Sequence, residues 1–88
     1  MKSKTFHLNR LTDYLWEAAK ESNDPKAYSQ AGLARKINVS RESVSCWAQN
    51  KHQPCNRNRK KILKYLNEAL PELEMKELFY SETLSINL

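Results

Sequence analysis

Apolar residues in the first third of the chain follow the three- and four-residue spacing of an amphipathic helix. The stripe consists of Leu11, Tyr14, Leu15, Ala18 and Ala19. This spacing predicts a helix over residues 9–22, with Asn9 as a candidate N-cap. Turn-forming residues and Pro25 follow, so the helix is expected to end near Ser22. We expect Tyr28 to anchor the connection to the core.

The next segment predicts two short helices joined by a tight turn. Ser29 can cap the first helix and Ser40 the second. Between them, Asn38 tolerates the left-handed conformation that ends a helix in a tight turn. The predicted buried face comprises Leu33, Ala34, Ile37, Val39, Val44, Trp47 and Ala48. The outward face of the second helix is then formed by Arg41, Glu42, Ser45 and Cys46.

The second half of the chain predicts a loop, a fourth helix and a tail. Residues 49–58 are polar and contain Pro54, which is typical of a loop. A helix over 58–70 follows, with inward positions at Ile62, Leu63, Leu66, Ala69 and Leu70. In the tail, we interpret residues 73–80 as a short helix and 83–88 as an extended arm.

The predicted fold class is all-α: a compact four- to five-helix bundle in which the second and third helices form a helix-turn-helix. The chain contains one Gly and three Pro, and no stretch shows sustained period-two alternation, which disfavours a β fold. We expect a domain over residues 1–70 and a tail over 71–88, which is a possible dimerisation segment. The apolar tail residues either form that interface or cover the back of the bundle: Leu78, Phe79, Tyr80, Leu84 and Ile86.

Charge is unevenly distributed along the 88 residues. The net charge is +5, which indicates a polyanionic partner or a membrane surface, or else simple solubility. Residues 41–64 carry seven Lys or Arg against one Asp or Glu, whereas residues 65–88 carry one against five. Solubility alone would not require this segregation, so it favours a polyanion bound near the predicted helix-turn-helix.

Targeting and redox features are sparse. The N-terminal segment lacks the apolar core of a signal peptide, and no apolar run approaches membrane-spanning length. Two cysteines, Cys46 and Cys55, make no disulfide framework. We therefore expect a cytoplasmic, nucleoid-associated protein.

The central motif resembles the lambda-repressor-like (Cro/repressor-type) helix-turn-helix family. The matching positions are Gln30, Leu33, Ala34, Val39, Ser40, Val44, Ser45, Trp47, Pro54, Ile62 and Leu66. The resemblance covers about residues 9–70. Two positions depart from it: Asn38 replaces the usual turn Gly, and Arg59 stands where the family buries an aliphatic residue. Either the fourth helix starts later or shifts register, or Arg59 points outward.

The resemblance implies a sequence-specific regulator of transcription that binds double-stranded DNA, such as a small repressor or Cro-like protein of bacterial or phage type. Its second motif helix would lie in the major groove. Candidates for base readout are Arg41, Glu42, Ser45 and Cys46. Arg41 leads this set because a guanidinium can bond two acceptors on one guanine. The alternative is that these residues are the solvated face of a surface helix.

Phosphate contacts are expected around the motif. The candidates are Gln30, Ser40, Asn50, Lys51, His52, Arg57, Arg59 and Lys60. Gln30 is assigned through the resemblance, with help from the positive end of its helix. Cations near the start of the fourth helix are unfavourable there unless phosphates neutralise them, although a solvated basic face remains the alternative.

Two other functions stay open: a protein-interaction module such as an antirepressor or antitoxin, and an excisionase-like architectural DNA binder. A wing with a hairpin turn would support the latter, and the sequence shows none. A homodimer on a palindromic operator is expected. We expect no enzyme activity, no cofactor and no metal site, since Cys46, His52 and Cys55 lack a suitably spaced fourth ligand.

Overall fold

Five helices lie between two strands that come from opposite ends of the chain. A computed structural model describes residues 2–86, and the surroundings of the side chains of residues 3–83. The elements are β1 (Lys2–Asn9), α1 (Leu11–Ser22), α2 (Gln30–Ile37), α3 (Arg41–Ala48), α4 (Asn56–Asn67), α5 (Met75–Leu78) and β2 (Phe79–Ile86). The all-α prediction is therefore wrong, because the fold is mixed α and β.

The two strands form one antiparallel ribbon. Leu8 lies opposite Tyr80 and Thr5 opposite Thr83. The strands were not predicted because apolar residues alternate in β1 only at Phe6 and Leu8, and the partner strand is distant in sequence, so no local turn marks the pairing. In the tail, the helix predicted over 73–80 is limited to α5, and the extended segment starts at Phe79 rather than 83. Residues 87 and 88 of the predicted arm lie outside the described residues.

The hydrophobic core lies among the helices and confirms most of the predicted inward positions. Fully or nearly buried side chains from the predicted set are Leu11, Leu15, Ala18, Tyr28, Leu33, Ala34, Ile37, Val44, Trp47, Ile62 and Leu66. Leu78 and Phe79 are also buried, so these two tail residues cover the bundle. Tyr65 was missed. Its ring stacks on Tyr28 with a centroid separation of 4.8 Å, and its hydroxyl donates to the Ala27 carbonyl.

The predicted caps of the helix-turn-helix are confirmed. The Ser29 hydroxyl accepts from the Gly32 N–H at 2.9 Å, and the Ser40 hydroxyl accepts from the Ser43 N–H at 3.1 Å. Asn38 has φ 57°, in the left-handed region, so its polar side chain serves where Gly is usual. These contacts satisfy N–H groups that lack helical partners and fix the angle between α2 and α3.

Gly32 permits a close approach inside the motif. A Cβ at this position would lie 2.8 Å from the Ala27 carbonyl carbon and would clash with the carbonyl oxygens of Lys26 and Ala27. The loop before α2 therefore packs directly on the helix backbone, which only Gly allows.

Helix boundaries differ modestly from the prediction. Helix α1 starts at Leu11 rather than Asn9, because Asn9 ends β1 and its Oδ1 accepts from the Leu11 N–H at 3.0 Å. Helix α4 runs over Asn56–Asn67 instead of 58–70. It ends early because the Asn67 amide donates to the carbonyls of Leu70 and Leu73, which turns the chain. Within residues 2–86, no helix is long and apolar enough to cross a membrane.

Candidate nucleic-acid interface

One face of helix α3 packs against the core and the opposite face is exposed to solvent. Val44 and Trp47 are buried, with Trp47 only 4% exposed. Arg41 and Glu42 in the first turn are exposed to solvent. The Ser40 cap fixes the position of this turn. Trp47 therefore anchors α3 to the core, and the two charged side chains at its start are free to meet a ligand.

The next turn of the same face is less accessible. Ser45 and Cys46 are half-buried, and Cys46 carries a free thiol. The Ser45 hydroxyl accepts a hydrogen bond from the Gln49 side-chain amide at 2.9 Å. Gln49 is exposed, and sequence reasoning missed it. Its spacing of four residues from Ser45 was the available signal, and a carboxamide can bond two groups of adenine.

Asn50 is held by the strand β1. Its Oδ1 accepts from the Asn9 N–H at 2.8 Å, and its Nδ2 donates to the Asn9 carbonyl at 3.3 Å. With φ 58°, Asn50 also turns the chain out of α3. The two residues that follow, Lys51 and His52, are exposed. Asn50 thus positions two candidate phosphate ligands while its own amide is engaged.

Asn9 is a second positioning residue that sequence reasoning assigned only to a helix cap. It is 4% exposed. Its Nδ2 donates to the Trp47 carbonyl at 2.8 Å and to Gln53 Oε1 at 2.7 Å. These bonds join the last turn of α3, through Trp47, to the loop that follows it, through Gln53. A lone Asn between Leu8 and Leu11 was the available signal.

Arg59 does not behave like the other basic candidates. Helix α4 starts earlier than predicted, so a late start does not explain this residue. Arg59 is half-buried, its Nε donates to the Pro54 carbonyl at 2.9 Å, and its guanidinium carbon lies 5.1 Å from the centroid of Phe79. The arginine stem and guanidinium therefore pack where an aliphatic residue was expected.

The start of α4 favours an anion. Cys55 occupies the N-cap position without a side-chain cap bond, and the first turn contains no acidic residue. The first N–H groups of a helix have no acceptor within the helix, and Arg57 and Lys60 are exposed close to them in the sequence. Helix N-termini attract phosphate and disfavour cations, so a phosphate here would relieve the repulsion and satisfy the backbone.

Two candidate phosphate ligands remain, Gln30 and Ser40. Gln30 is half-buried as the first residue of α2, and Ser40 is exposed. Arg41 is the first residue of α3, whereas Lys51 follows the turn after the last residue of α3, Ala48. No group of three or more His, Cys, Asp or Glu within the described part of the chain is arranged to hold a metal ion.

Comparison with known proteins adds no relative. No family model matches the chain, and neither the curated proteins nor the solved structures provide a match. A role for this surface is therefore inferred from its own residues alone.

Proposed function

We propose that the protein is a sequence-specific, double-stranded-DNA-binding regulator of transcription, of the small repressor or Cro-like type. The observation that carries this proposal is the exposed first turn of α3, with Arg41 and Glu42 above the buried Val44 and Trp47. A helix held in this way can enter the major groove with its N-terminal residues against base edges.

The charge pattern supports a phosphate backbone as partner. Basic residues follow α3 and occupy the start of α4, where Lys51, Arg57 and Lys60 are exposed. Each phosphate contact releases counterions, so affinity would fall steeply with salt.

The proposal includes a homodimer joined through the ribbon. Phe6, Leu8 and Tyr80 lie on one face of it, together with the charged Lys4 and Glu82. The three apolar side chains are half-buried, yet they are absent from the side chains that pack against the helical core. The opposite face is polar, with a Thr5–Thr83 hydroxyl pair and a His7–Ser81 pair. A two-stranded ribbon is marginally stable alone, so a second copy covering its apolar face would stabilise both.

A salt series tests the DNA proposal. Binding to a random-sequence duplex is measured by fluorescence anisotropy from low to physiological salt, and the preferred sequence is then selected from a random pool. The expected slope of log K against log salt is about −0.9 per phosphate contact. Lys51→Ala should reduce the slope, whereas the control Lys76→Ala, in the acidic tail, should not. Affinity that ignores salt would refute the proposal and favour a protein-interaction module.

Sedimentation tests the dimer. Leu8→Glu places a charge on the apolar face of the ribbon, and the adjacent His7→Glu places one on the polar face. We expect a monomer for Leu8→Glu and a dimer for His7→Glu. Dimerisation of Leu8→Glu at the wild-type concentration would exclude the ribbon as the interface.

The ribbon also supports an architectural DNA binder as a second candidate. Lys4 and His7 are exposed along it, and a paired ribbon was not predicted. Its strands are not joined by a hairpin turn, which separates it from a wing. Bending of circularly permuted DNA fragments distinguishes the two functions, because an architectural protein would bend them strongly.

A further inference from the structure

A groove with an apolar floor and an acidic rim lies between α1 and the segment that links α4 to α5. Its lining residues are Tyr14, Trp16, Glu17, Lys20, Glu21, Ala69, Leu70, Pro71, Glu72, Leu73 and Glu77, and its volume is about 620 Å³. None of these residues belongs to α3 or to the basic segment that follows it. The groove is therefore separate from the proposed DNA surface. We call it the acidic groove.

Trp16 stands at the edge of the acidic groove. It is 65% exposed and is the one exposed large hydrophobic side chain among residues 3–83. Trp47, by contrast, is buried in the core. The Lys20 ammonium lies 5.3 Å from the centroid of the Trp16 ring, so the ring already attracts a cation.

The rim has an excess of negative charge. Four carboxylates line it, from Glu17, Glu21, Glu72 and Glu77, against the single ammonium of Lys20. The one ion pair formed within the described part of the chain joins two other side chains. Burial raises the pKa of the Tyr14 hydroxyl, which also lines the groove; the charge of Glu77 raises it further, and that of Arg10 lowers it. The side chains that line the groove therefore carry a net negative charge.

We propose that the acidic groove binds an arginine-containing, otherwise apolar segment of a partner protein. An arginine guanidinium stacks on a Trp face and pairs with carboxylates, while aliphatic side chains of the same segment fit the floor formed by Leu70 and Leu73. Trp is enriched at the centres of protein interfaces. DNA would be repelled by the same carboxylates. A protein partner can therefore dock in the groove while DNA occupies the surface of α3.

Changes in tryptophan emission on binding report mainly on Trp16, because Trp47 is already shielded from solvent in the core. The probe is a synthetic peptide of alternating arginine and leucine. Two comparison peptides replace every arginine with glutamate or every leucine with serine. We expect the arginine–leucine peptide to shift the Trp16 emission to the blue and protect it from acrylamide, and the glutamate peptide to have no effect.

Two variants test the contributing residues. Trp16→Ala should weaken binding of the labelled arginine–leucine peptide by about tenfold, as expected for loss of a ring that stacks on an arginine. Replacing Glu17, Glu21 and Glu72 with Gln together should weaken it by about tenfold, as expected for three exposed ion pairs. The matched control Glu82→Gln removes an exposed carboxylate that does not line the acidic groove and should leave the affinity for the peptide unchanged.

Three results would overturn the proposal. Equal affinity of the wild type and Trp16→Ala for the peptide would show that the Trp16 ring does not contribute to the site. Equal affinity of the wild type for the glutamate and arginine–leucine peptides would show that the site does not select positive charge. Self-association lost in Trp16→Ala, without peptide binding by the wild type, would assign the groove to a second copy of the chain. DNA affinity, measured in parallel, should be the same for Trp16→Ala and the wild type.

Discussion

The buried side-chain amide of Asn9 donates to the main-chain carbonyl of Trp47 over 2.8 Å, joining the end of β1 to the last turn of α3. The Trp47 carbonyl also accepts from the Asn50 N–H at 3.0 Å, so Asn9 adds a second bond at the end of the helix. The same Asn9 side chain accepts from the first N–H of α1. The ribbon, α1 and the proposed reading helix therefore meet at one residue.

Asn9→Ala should destabilise the protein. The buried Leu11 N–H would lose its acceptor, at a cost of about 1–3 kcal/mol, and the Trp47 carbonyl would keep only the Asn50 N–H. Urea unfolding followed by circular dichroism measures the loss. The control Ser3→Ala changes an exposed residue of the same strand and should leave the midpoint unchanged. Equal midpoints for Asn9→Ala and the wild type would show that water replaces the lost bonds without cost.

Gly32→Ala should also destabilise, against the usual trend. Alanine in place of glycine within a helix normally gains about 0.5–1 kcal/mol. Here the added methyl group meets the backbone of Lys26 and Ala27, and such overpacking costs about 1–3 kcal/mol. Thermal unfolding gives the sign. A higher melting temperature for Gly32→Ala would mean that the loop before α2 moves aside easily.

The tyrosine pair should make stability fall in alkaline solution. Burial raises the pKa of Tyr28 and Tyr65, and the charges of Glu68 and Asp24 act in the same direction. The folded state then holds these protons more tightly than the unfolded state. Their contribution is complete below the unfolded pKa of about 10 and is lost as the pH rises through the folded values.

Tyr65→Phe isolates this effect. The variant loses the hydrogen bond to Ala27 at every pH, worth about 1 kcal/mol, but it also loses one of the two ionising groups. Its urea midpoint should therefore be lower at neutral pH and decline less steeply above pH about 10. Parallel pH curves for Tyr65→Phe and the wild type would contradict the assignment.

Alanine substitutions of Arg59 and Arg57 should differ in their effect on stability, which distinguishes a loss of stability from a loss of DNA affinity. Arg59→Ala removes the contacts with Pro54 and Phe79 and should cost about 1–2 kcal/mol of stability, whereas the exposed Arg57→Ala should cost under about 0.5 kcal/mol. If both contact phosphates, each variant lowers the salt slope by about 0.9. An unchanged slope for Arg59→Ala would make that residue purely structural.

Arg41→Ala should relax base preference rather than abolish binding. Loss of a bidentate contact with guanine costs about 1–3 kcal/mol of discrimination at one position. Selection from a random duplex pool measures it, with Lys51→Ala as a control that weakens binding to all sequences alike. An unchanged preferred sequence for Arg41→Ala would transfer readout to other residues of α3, with Gln49 first among them.

The helices were predictable because their determinants are local. Ser29, Asn38 and Ser40 act within a few residues, and the apolar stripes repeat within each helix. The ribbon was not predictable in this way, because the partner of Thr5 is Thr83. The candidate site divides similarly. The exposure of Arg41 could be predicted from helical spacing. The hydrogen bonds of Asn50 to Asn9 in β1 and the contact of Arg59 with Phe79 in β2 could not, because they depend on residues distant in the sequence.

The pairing of β1 with β2 also sets an order of events during folding. A sequence separation of 78 residues joins Thr5 to Thr83, so closing the ribbon first would cost more chain entropy than forming the helix-turn-helix. On a ribosome, β2 is the last of the described elements to emerge, and β1 waits unpaired until then. The proposed reading helix can thus be in place before the ribbon, so a nascent chain would form the proposed DNA surface before the proposed dimer interface.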